Sequence, residues 1–126
     1  MIKTAIVGYG NLGKGVLKAL KNAHDMSIKG IFTRRNPKSI VCDDDVSVYN
    51  VSDLKKFKDK IDVLILCGGS ATDLPQTTAE YLKDFCTVDS FDTHAKIPTY
   101  YDTLNKIATE NNTVNAISIG WDPGIF

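Results

Sequence analysis

The sequence carries no net charge, only three cysteines among 126 residues, and no hydrophobic run long enough to span a membrane. Fifteen basic residues balance fifteen acidic ones, so no broad electrostatic field favours nucleic acid or a membrane as a partner. The cysteines are odd in number, lie far apart and form no C-x-x-C pair, which favours reduced, buried thiols over metal ligands or nucleophiles. Because the first residues resemble a strand and not a signal peptide, we expect a cytoplasmic protein.

Short apolar runs alternate with segments of helical periodicity, which is the pattern of parallel strands joined by crossover helices. The pattern predicts an α/β fold of Rossmann type: a doubly wound parallel sheet of about six strands with helices on both faces. The length suits one compact domain, residues 1–126. Strands are predicted at residues 4–7, 27–32, 46–51, 63–67, 87–88 and 116–119. Helices are predicted from the glycines to residue 23 and at 54–60, 78–85 and 97–111, with an exposed loop at 36–45.

A glycine motif, G-x-G-x-x-G, lies between the first predicted strand and the first predicted helix. In such a motif Gly8 permits a tight turn, Gly10 lets a pyrophosphate approach the backbone, and Gly13 lets the helix pack closely. The amides at the helix N-terminus then face the phosphates. The order of strand, motif and helix therefore predicts a dinucleotide site rather than an ordinary glycine turn.

The end of the second predicted strand indicates which dinucleotide binds. Domains that prefer NAD commonly have a carboxylate here, about 20 residues beyond the glycines, which accepts hydrogen bonds from the ribose. This sequence has Thr33, Arg34 and Arg35 instead. Two guanidinium groups and a hydroxyl bind a 2′-phosphate, whereas a carboxylate would repel it, so the sequence predicts NADP.

Three more loops follow predicted strands and should line the reaction site. The first, Gly68–Ser70, suits the approach of the nicotinamide or forms an ordinary turn. Asp92 and Asp122 lie in the other two loops, where each either points a carboxylate at a cationic substrate or forms a cap or turn. His94 has no second histidine at ligand spacing, so we expect it at the surface and expect no metal site.

Five segments together resemble the meso-diaminopimelate dehydrogenase family: residues 8–13, 33–35, 69–73, 88–92 and 120–124. The resemblance implies an NADP-dependent enzyme of lysine biosynthesis. Its reaction is the reversible oxidative deamination of the D-centre of meso-2,6-diaminopimelate. The products are ammonia and L-2-amino-6-oxopimelate, which cyclises to tetrahydrodipicolinate.

The resemblance also implies roles for individual residues. Asp92 and Asp122 would hold the ammonium of the D-centre, and one of them would accept a proton during catalysis. With the glycine motif included, the implied cofactor contacts are Gly8, Tyr9, Gly10, Asn11, Leu12, Gly13, Thr33, Arg34, Arg35, Cys67, Gly68, Gly69, Ser70, Ser90, Phe91, Asp92, Ile119, Gly120, Trp121, Asp122 and Pro123. Family members are much longer. We therefore expect this chain to be the NADP-binding part of a two-domain homodimeric enzyme, inactive alone.

Two other interpretations remain open. Another NADP-dependent oxidoreductase of amino-acid metabolism, of the homoserine dehydrogenase or dihydrodipicolinate reductase type, shares the glycine loop and an arginine after the second strand. It does not explain the Gly-Trp-Asp-Pro-Gly segment. A non-catalytic nucleotide sensor also has this fold, but it has no need for Asp92 and Asp122.

Overall fold

The computed structural model describes residues 1–42, 46–67, 74–89 and 96–117. Their strands are β1 Ile2–Val7, β2 Met26–Thr33, β3 Val48–Asn50, β4 Val63–Leu66, β5 Cys86–Asp89 and β6 Asn115–Ala116. Their α-helices are α1 Asn11–Lys21, α2 Leu74–Tyr81 and α3 Ile97–Asn111, and two 3-10 helices cover Pro37–Ser39 and Val51–Phe57. The chain divides into two compact units, Met1–Gly68 and Gly69–Phe126, which are taken in turn.

The first unit is built around β1, which pairs in parallel with β2 on one side and with β4 on the other. Strand β2 pairs in parallel with β3. The chain thus moves outward from β1 in one direction and then returns to its opposite side, which is the reversal of a doubly wound sheet. Val7 at the end of β1 is level with Phe32 in β2 and Leu66 in β4, so the three strands end at one edge.

Successive strand residues point to opposite faces of the sheet, and in the first unit each face packs against other parts of the chain. On one face, Leu17 and Leu20 of α1 pack with the fully buried Ile6 and Ile31. On the other face, Phe32 stacks on Tyr49 at 5.3 Å and meets Phe57 edge-on at 5.2 Å between ring centroids. Each buried side chain of this size stabilises the fold by roughly 1.5–3 kcal/mol.

The second unit has a parallel pair of strands, in which Thr87 and Val88 of β5 are level with Asn115 and Ala116 of β6. Helix α3 buries residues four apart, Tyr100, Leu104 and Ala108, as expected of a helix with one apolar stripe. Asn112 is the C-cap of this helix and has a left-handed backbone (φ 59°). The amide of the next residue, Thr113, donates to the Ala108 carbonyl.

The predicted element order is confirmed, and the bounds of α3 are those predicted from its periodicity. Other bounds differ. The small helix predicted at 54–60 lies at Val51–Phe57 and is a 3-10 helix, because Asn50 accepts a hydrogen bond from the Ser52 amide and caps its start. That cap also ends β3 earlier than predicted. The helix predicted at 78–85 lies at Leu74–Tyr81, and turns carry the chain to the buried Phe85.

Candidate dinucleotide-binding site

The first unit brings three of the predicted site segments to one edge of its sheet. The glycine loop follows β1, Thr33 to Arg35 end β2 and begin the next loop, and Cys67 follows β4. Because β1 lies between β2 and β4, the glycine loop is flanked by the arginine segment and by Cys67. This edge, at the carboxyl ends of strands and at the reversal of the sheet, is where ligands bind in open α/β folds.

Two of the glycines are required by the fold itself. Gly8 has a positive φ of 95°, which other residues rarely adopt, and its amide donates to the Phe32 carbonyl at 2.8 Å. A Cβ on Gly13 would collide with the carbonyl oxygen of Gly8. The absence of side chains at these positions therefore lets α1 start directly against the end of β1.

Gly10 differs from both, because nothing in the described structure requires glycine there. Its φ of −89° is accessible to any residue, and a Cβ would meet no described atom within 4 Å. Gly10 is the N-cap of α1 and provides no side-chain cap for the first-turn amides. The space beside it is therefore open, next to a helix N-terminus that favours an anion.

Arg35 joins the second strand end to the glycine loop. Its guanidinium donates from Nη2 to the Tyr9 carbonyl at 3.3 Å, and its amide donates to Oγ1 of Thr33 at 3.1 Å. Thr33 is buried, whereas the side chains of Arg34 and Arg35 are exposed. The contact with Tyr9 holds one positive charge beside the glycine loop, although the Arg35 side chain is exposed.

Tyr9 and Cys67 contribute mainly through packing. Tyr9 belongs to the core cluster with Ile6 and Leu17, and its hydroxyl lies 3.7 Å from Sγ of Cys42. The Cys67 amide donates to the Val7 carbonyl at 2.8 Å. Burial raises the pKa of the Cys67 thiol from 9.0 to about 12, so it stays protonated at neutral pH and is a poor nucleophile.

The other predicted contacts divide into two groups. Asn11 and Leu12 are exposed in the first turn of α1, beside Gly10. The remaining contacts lie outside the described ranges: Gly68, Gly69, Ser70, Ser90, Phe91, Asp92, Ile119, Gly120, Trp121, Asp122 and Pro123. So does His94, which was expected at the surface. Their roles at the site stay predictions.

The second unit holds a polar cluster that was not predicted from the sequence. Asp89, the last residue of β5, is 2% exposed, and its Oδ2 accepts a hydrogen bond from the Tyr100 hydroxyl at 2.6 Å. The Tyr100 oxygen also lies 2.9 Å from Oγ1 of the fully buried Thr78. Burial, followed by the hydrogen bond to Asp89, raises the pKa of Tyr100. The one sign of this cluster in the sequence is an aspartate, Asp89, at the end of a predicted strand.

The fold and the edge of the first unit are those of a dinucleotide-binding domain. The profile of the oxidoreductase family with an NAD-binding Rossmann fold matches residues 2–89, so the chain belongs to that family. The predicted fold class is therefore confirmed. Among the described residues, no helix has the length and apolar character needed to cross a membrane, and no three His, Cys, Asp or Glu side chains cluster as for a metal.

Individual relatives indicate a narrower group of enzymes than the family match does. The chain is 51% identical over 125 residues to the meso-diaminopimelate D-dehydrogenase of Ureibacillus thermosphaericus, covering 99% of this chain and 38% of the relative. The structure of Corynebacterium glutamicum diaminopimelate dehydrogenase in complex with DAP matches with a TM-score of 0.88 and 43% identity, over 97% of this chain and 37% of that one.

Two further structures extend the comparison. An engineered D-amino acid dehydrogenase bound to NADP+ matches with a TM-score of 0.89 and 44% identity, over 99% of this chain and 38% of that one. Homoserine dehydrogenase of Staphylococcus aureus matches with a TM-score of 0.74 at 17% identity, over 92% of this chain and 32% of that one, which shows a shared fold alone. The chain thus spans about 38% of the length of the named dehydrogenases it resembles.

Proposed function

We propose that this chain binds NADP, with the glycine loop at the pyrophosphate and Arg34 and Arg35 at the 2′-phosphate of the adenosine ribose. The observation that carries the proposal is the contact of the Arg35 guanidinium with the Tyr9 carbonyl. It places a cation next to the glycine loop at the strand end where NAD-binding domains commonly have a carboxylate. The open space at Gly10 fits the same cofactor, since a phosphate there can approach the backbone closely.

The reaction we propose for the longer enzyme is the reversible NADP-dependent oxidative deamination of meso-2,6-diaminopimelate at its D-centre. Water is consumed, and ammonia and L-2-amino-6-oxopimelate are formed. The identity of 44–51% to four meso-diaminopimelate D-dehydrogenases, along 99% of this chain in each case, supports this reaction over that of homoserine dehydrogenase. In this proposal residues 1–126 are the cofactor-binding domain of a cytoplasmic homodimer whose remaining segment selects the substrate.

Within that reaction the cofactor, when bound, accepts the hydride of the D-centre. The work of this chain is to bind and orient. Gly68–Ser70, Ser90–Asp92 and Ile119–Pro123 are proposed to lie beside the nicotinamide and its ribose. Asp92 and Asp122 are proposed to hold the substrate ammonium, and one of them to accept a proton. The Cys67 thiol, protonated at neutral pH, serves as a neutral neighbour and not as a nucleophile.

The cofactor proposal is tested by isothermal titration calorimetry of the chain with NADPH and NADH. We expect tighter binding of NADPH. Replacing both arginines, Arg34→Ala with Arg35→Ala, should weaken NADPH binding by about tenfold to 100-fold, as for lost hydrogen bonds between charged groups. The same change should alter NADH binding by less than about threefold, because NADH lacks the 2′-phosphate.

A second double variant, Lys55→Ala with Lys106→Ala, is the matched control. It also removes two exposed positive charges, one from each unit, at positions away from the strand ends. NADPH affinity should then stay near that of the original chain. Equal losses for NADPH and NADH in the arginine variant, or tighter binding of NADH by the original chain, would contradict the proposal.

The reaction itself is tested with a longer polypeptide that includes this chain. Ammonia-dependent oxidation of NADPH with L-2-amino-6-oxopimelate supports the diaminopimelate reaction. Activity only with a semialdehyde or with dihydrodipicolinate supports the other oxidoreductases instead. Asp92→Asn with Asp122→Asn should abolish turnover, whereas unchanged turnover would favour a non-catalytic role for these carboxylates.

A further inference from the structure

Arg35 is held at both of its ends, by its backbone and by its guanidinium. Its amide donates to Oγ1 of Thr33 at 3.1 Å, and its Nη2 donates to the Tyr9 carbonyl at 3.3 Å. The same strand end is fixed to the glycine loop by the bond from the Gly8 amide to the Phe32 carbonyl, at 2.8 Å. The conformation of Arg35 therefore depends on the end of β2 as well as on the glycine loop.

The Thr33 hydroxyl has no packing role that an apolar side chain could not fill. Thr33 is the last residue of β2 and only 3% exposed. Valine has nearly the same shape and suits a buried strand, whereas a buried hydroxyl is unfavourable unless it is hydrogen-bonded. The partner of this hydroxyl is the Arg35 amide, two residues further along the chain. The hydroxyl thus serves the backbone conformation that leads to the arginine.

A fixed arginine binds an anion at a smaller cost than a mobile one. A long side chain loses rotamer freedom when a ligand immobilises it, and this loss weakens binding. Contacts that hold the side chain before the ligand arrives reduce the loss. The bond to Thr33 fixes the backbone from which the Arg35 side chain leaves, and the bond to Tyr9 fixes its guanidinium.

We propose that Thr33 is a positioning residue for the 2′-phosphate site, acting through Arg35. The inference rests on the proposed NADP binding and deepens it, because part of the preference for NADP over NAD then depends on a residue that does not bind the phosphate itself. The resemblance implies a direct contact of Thr33 with the cofactor. The 3% exposure of Thr33 favours the indirect role, since a ligand has little access to a buried hydroxyl.

Calorimetric titrations of Thr33→Val with NADPH and NADH test the role of the hydroxyl. The Kd of NADPH should rise by about threefold to tenfold, as for one lost hydrogen bond. The Kd of NADH should change by less than about twofold, because NADH has no 2′-phosphate for Arg35 to bind. Thr33→Ser keeps the hydroxyl, so it should bind both cofactors within about twofold of the original chain.

A double-mutant cycle distinguishes the indirect role from a direct contact. It compares Thr33→Val in the original chain with Thr33→Val in a chain that also has Arg35→Ala. If Thr33 acts through Arg35, removal of its hydroxyl should change the Kd of NADPH by less than about twofold once the arginine is absent. A hydroxyl that binds the phosphate directly would give the same fold-change in both backgrounds.

Thr4→Val is the matched control, because Thr4 is another buried threonine in a strand of the first unit. It is 2% exposed, and its Oγ1 donates to the Ser27 carbonyl at 2.8 Å, within β1 and before the strand end. This variant should bind NADPH and NADH as the original chain does. Circular dichroism checks that each variant is folded, and Thr33→Ala replaces Thr33→Val if the valine variant is not.

The outcomes separate the two proposals. If the original chain binds NADPH no tighter than NADH, the proposed function itself fails. If the original chain prefers NADPH but Thr33→Val retains the full preference, loses affinity for both cofactors equally, or loses as much without Arg35 as with it, the positioning role alone is wrong. A loss confined to NADPH, restored in Thr33→Ser and absent without Arg35, supports the positioning role.

Discussion

The strand ends of the two units are built in different ways. At the ends of β1 and β2, the first unit presents backbone groups, an open position at Gly10 and exposed arginine side chains. At the end of β5, the second unit instead buries a carboxylate and satisfies it internally with Tyr100. The first arrangement exposes charged side chains at the strand ends. The second uses its donors to hold the chain in place.

The same contrast exists among the glycines of the first unit. Gly8 and Gly13 are required by backbone conformation and by close packing, whereas Gly10 is required by neither. A residue that the fold does not need but that lies at the ligand edge is a candidate for function. Variants can separate these two kinds of requirement and can test how far the units differ.

The largest effect is expected for Gly13→Ala. The added methyl group collides with the Gly8 carbonyl oxygen, so α1 must move away from β1. We expect the free energy of unfolding to fall by about 2–3 kcal/mol, as for other overpacked sites, in urea titrations followed by circular dichroism. Gly15→Ala is the control in the same helix, because its Cβ meets no described atom within 4 Å. It should stabilise the chain by up to about 1 kcal/mol.

Gly10→Ala should affect binding more than folding. The free energy of unfolding should change by about 1 kcal/mol or less, the cost of a poorer N-cap residue. The affinity for NADPH should fall by about tenfold or more, because the methyl group occupies space that the pyrophosphate needs. Calorimetry and urea titration of the same preparation measure both quantities. Unchanged affinity would show that the cofactor does not approach Gly10.

Alkaline pH tests one group with a raised pKa in each unit. The pKa values of Cys67 and Tyr100 are raised in the folded chain above the ordinary 9.0 and 10.0. The unfolded chain therefore releases these protons first, and the associated stability is complete below about pH 9 and is lost progressively as the pH rises toward the folded values. Urea titrations at increasing pH should show this decline in the free energy of unfolding.

Single variants assign the decline to each unit. Cys67→Ala should weaken the pH dependence from about pH 9 upward, and Tyr100→Phe should weaken it only above about pH 10. Tyr101→Phe, at an exposed position, is the control for the second variant. If the free energy of unfolding declined as steeply in both variants as in the original chain, other groups would control alkaline unfolding.

The smallest effects are expected where the two units do not differ. Each has an exposed ion pair between residues three apart, Asp53 with Lys56 and Glu80 with Lys83, at 3.2 and 3.4 Å. Lys56→Ala and Lys83→Ala should each change the free energy of unfolding by less than about 0.5 kcal/mol, and less still at high salt. A larger loss from one variant alone would indicate a role for that lysine beyond its ion pair.

Much of the fold followed from local patterns. The glycine motif, the apolar run of β4 and the periodicity of α3 each correspond to an observed element, because buried strands and amphipathic helices leave strong signals in a single sequence. The segment after β3 was less predictable. Its residues have helical spacing, but the hydrogen bond from the Ser52 amide to the Asn50 side chain favours a 3-10 helix, and such short caps compete with weak periodicity.

The residue types of the candidate site were predictable from the sequence, but its contacts were not. The order of glycines and arginines predicted a dinucleotide site, since turn geometry and charge are properties of residue type. That Arg35 contacts Tyr9, 26 residues away, depends on two strands being level, which requires the folded sheet. The burial of Asp89 also requires the folded structure. An acidic residue at a strand end is usually exposed, and only the packing of α2 and α3 buries this one beside Tyr100.

Residue type and spacing were thus sufficient for the α/β class, for the parallel sheet and for the prediction of a dinucleotide site at the glycine loop. These features arise from interactions between near neighbours in the chain or from the simple rule that apolar faces are buried. Which glycine the fold requires, which arginine lies against the loop and which carboxylate is buried arise from contacts between distant segments. Such contacts exist only once the strands are in register and the helices cover them.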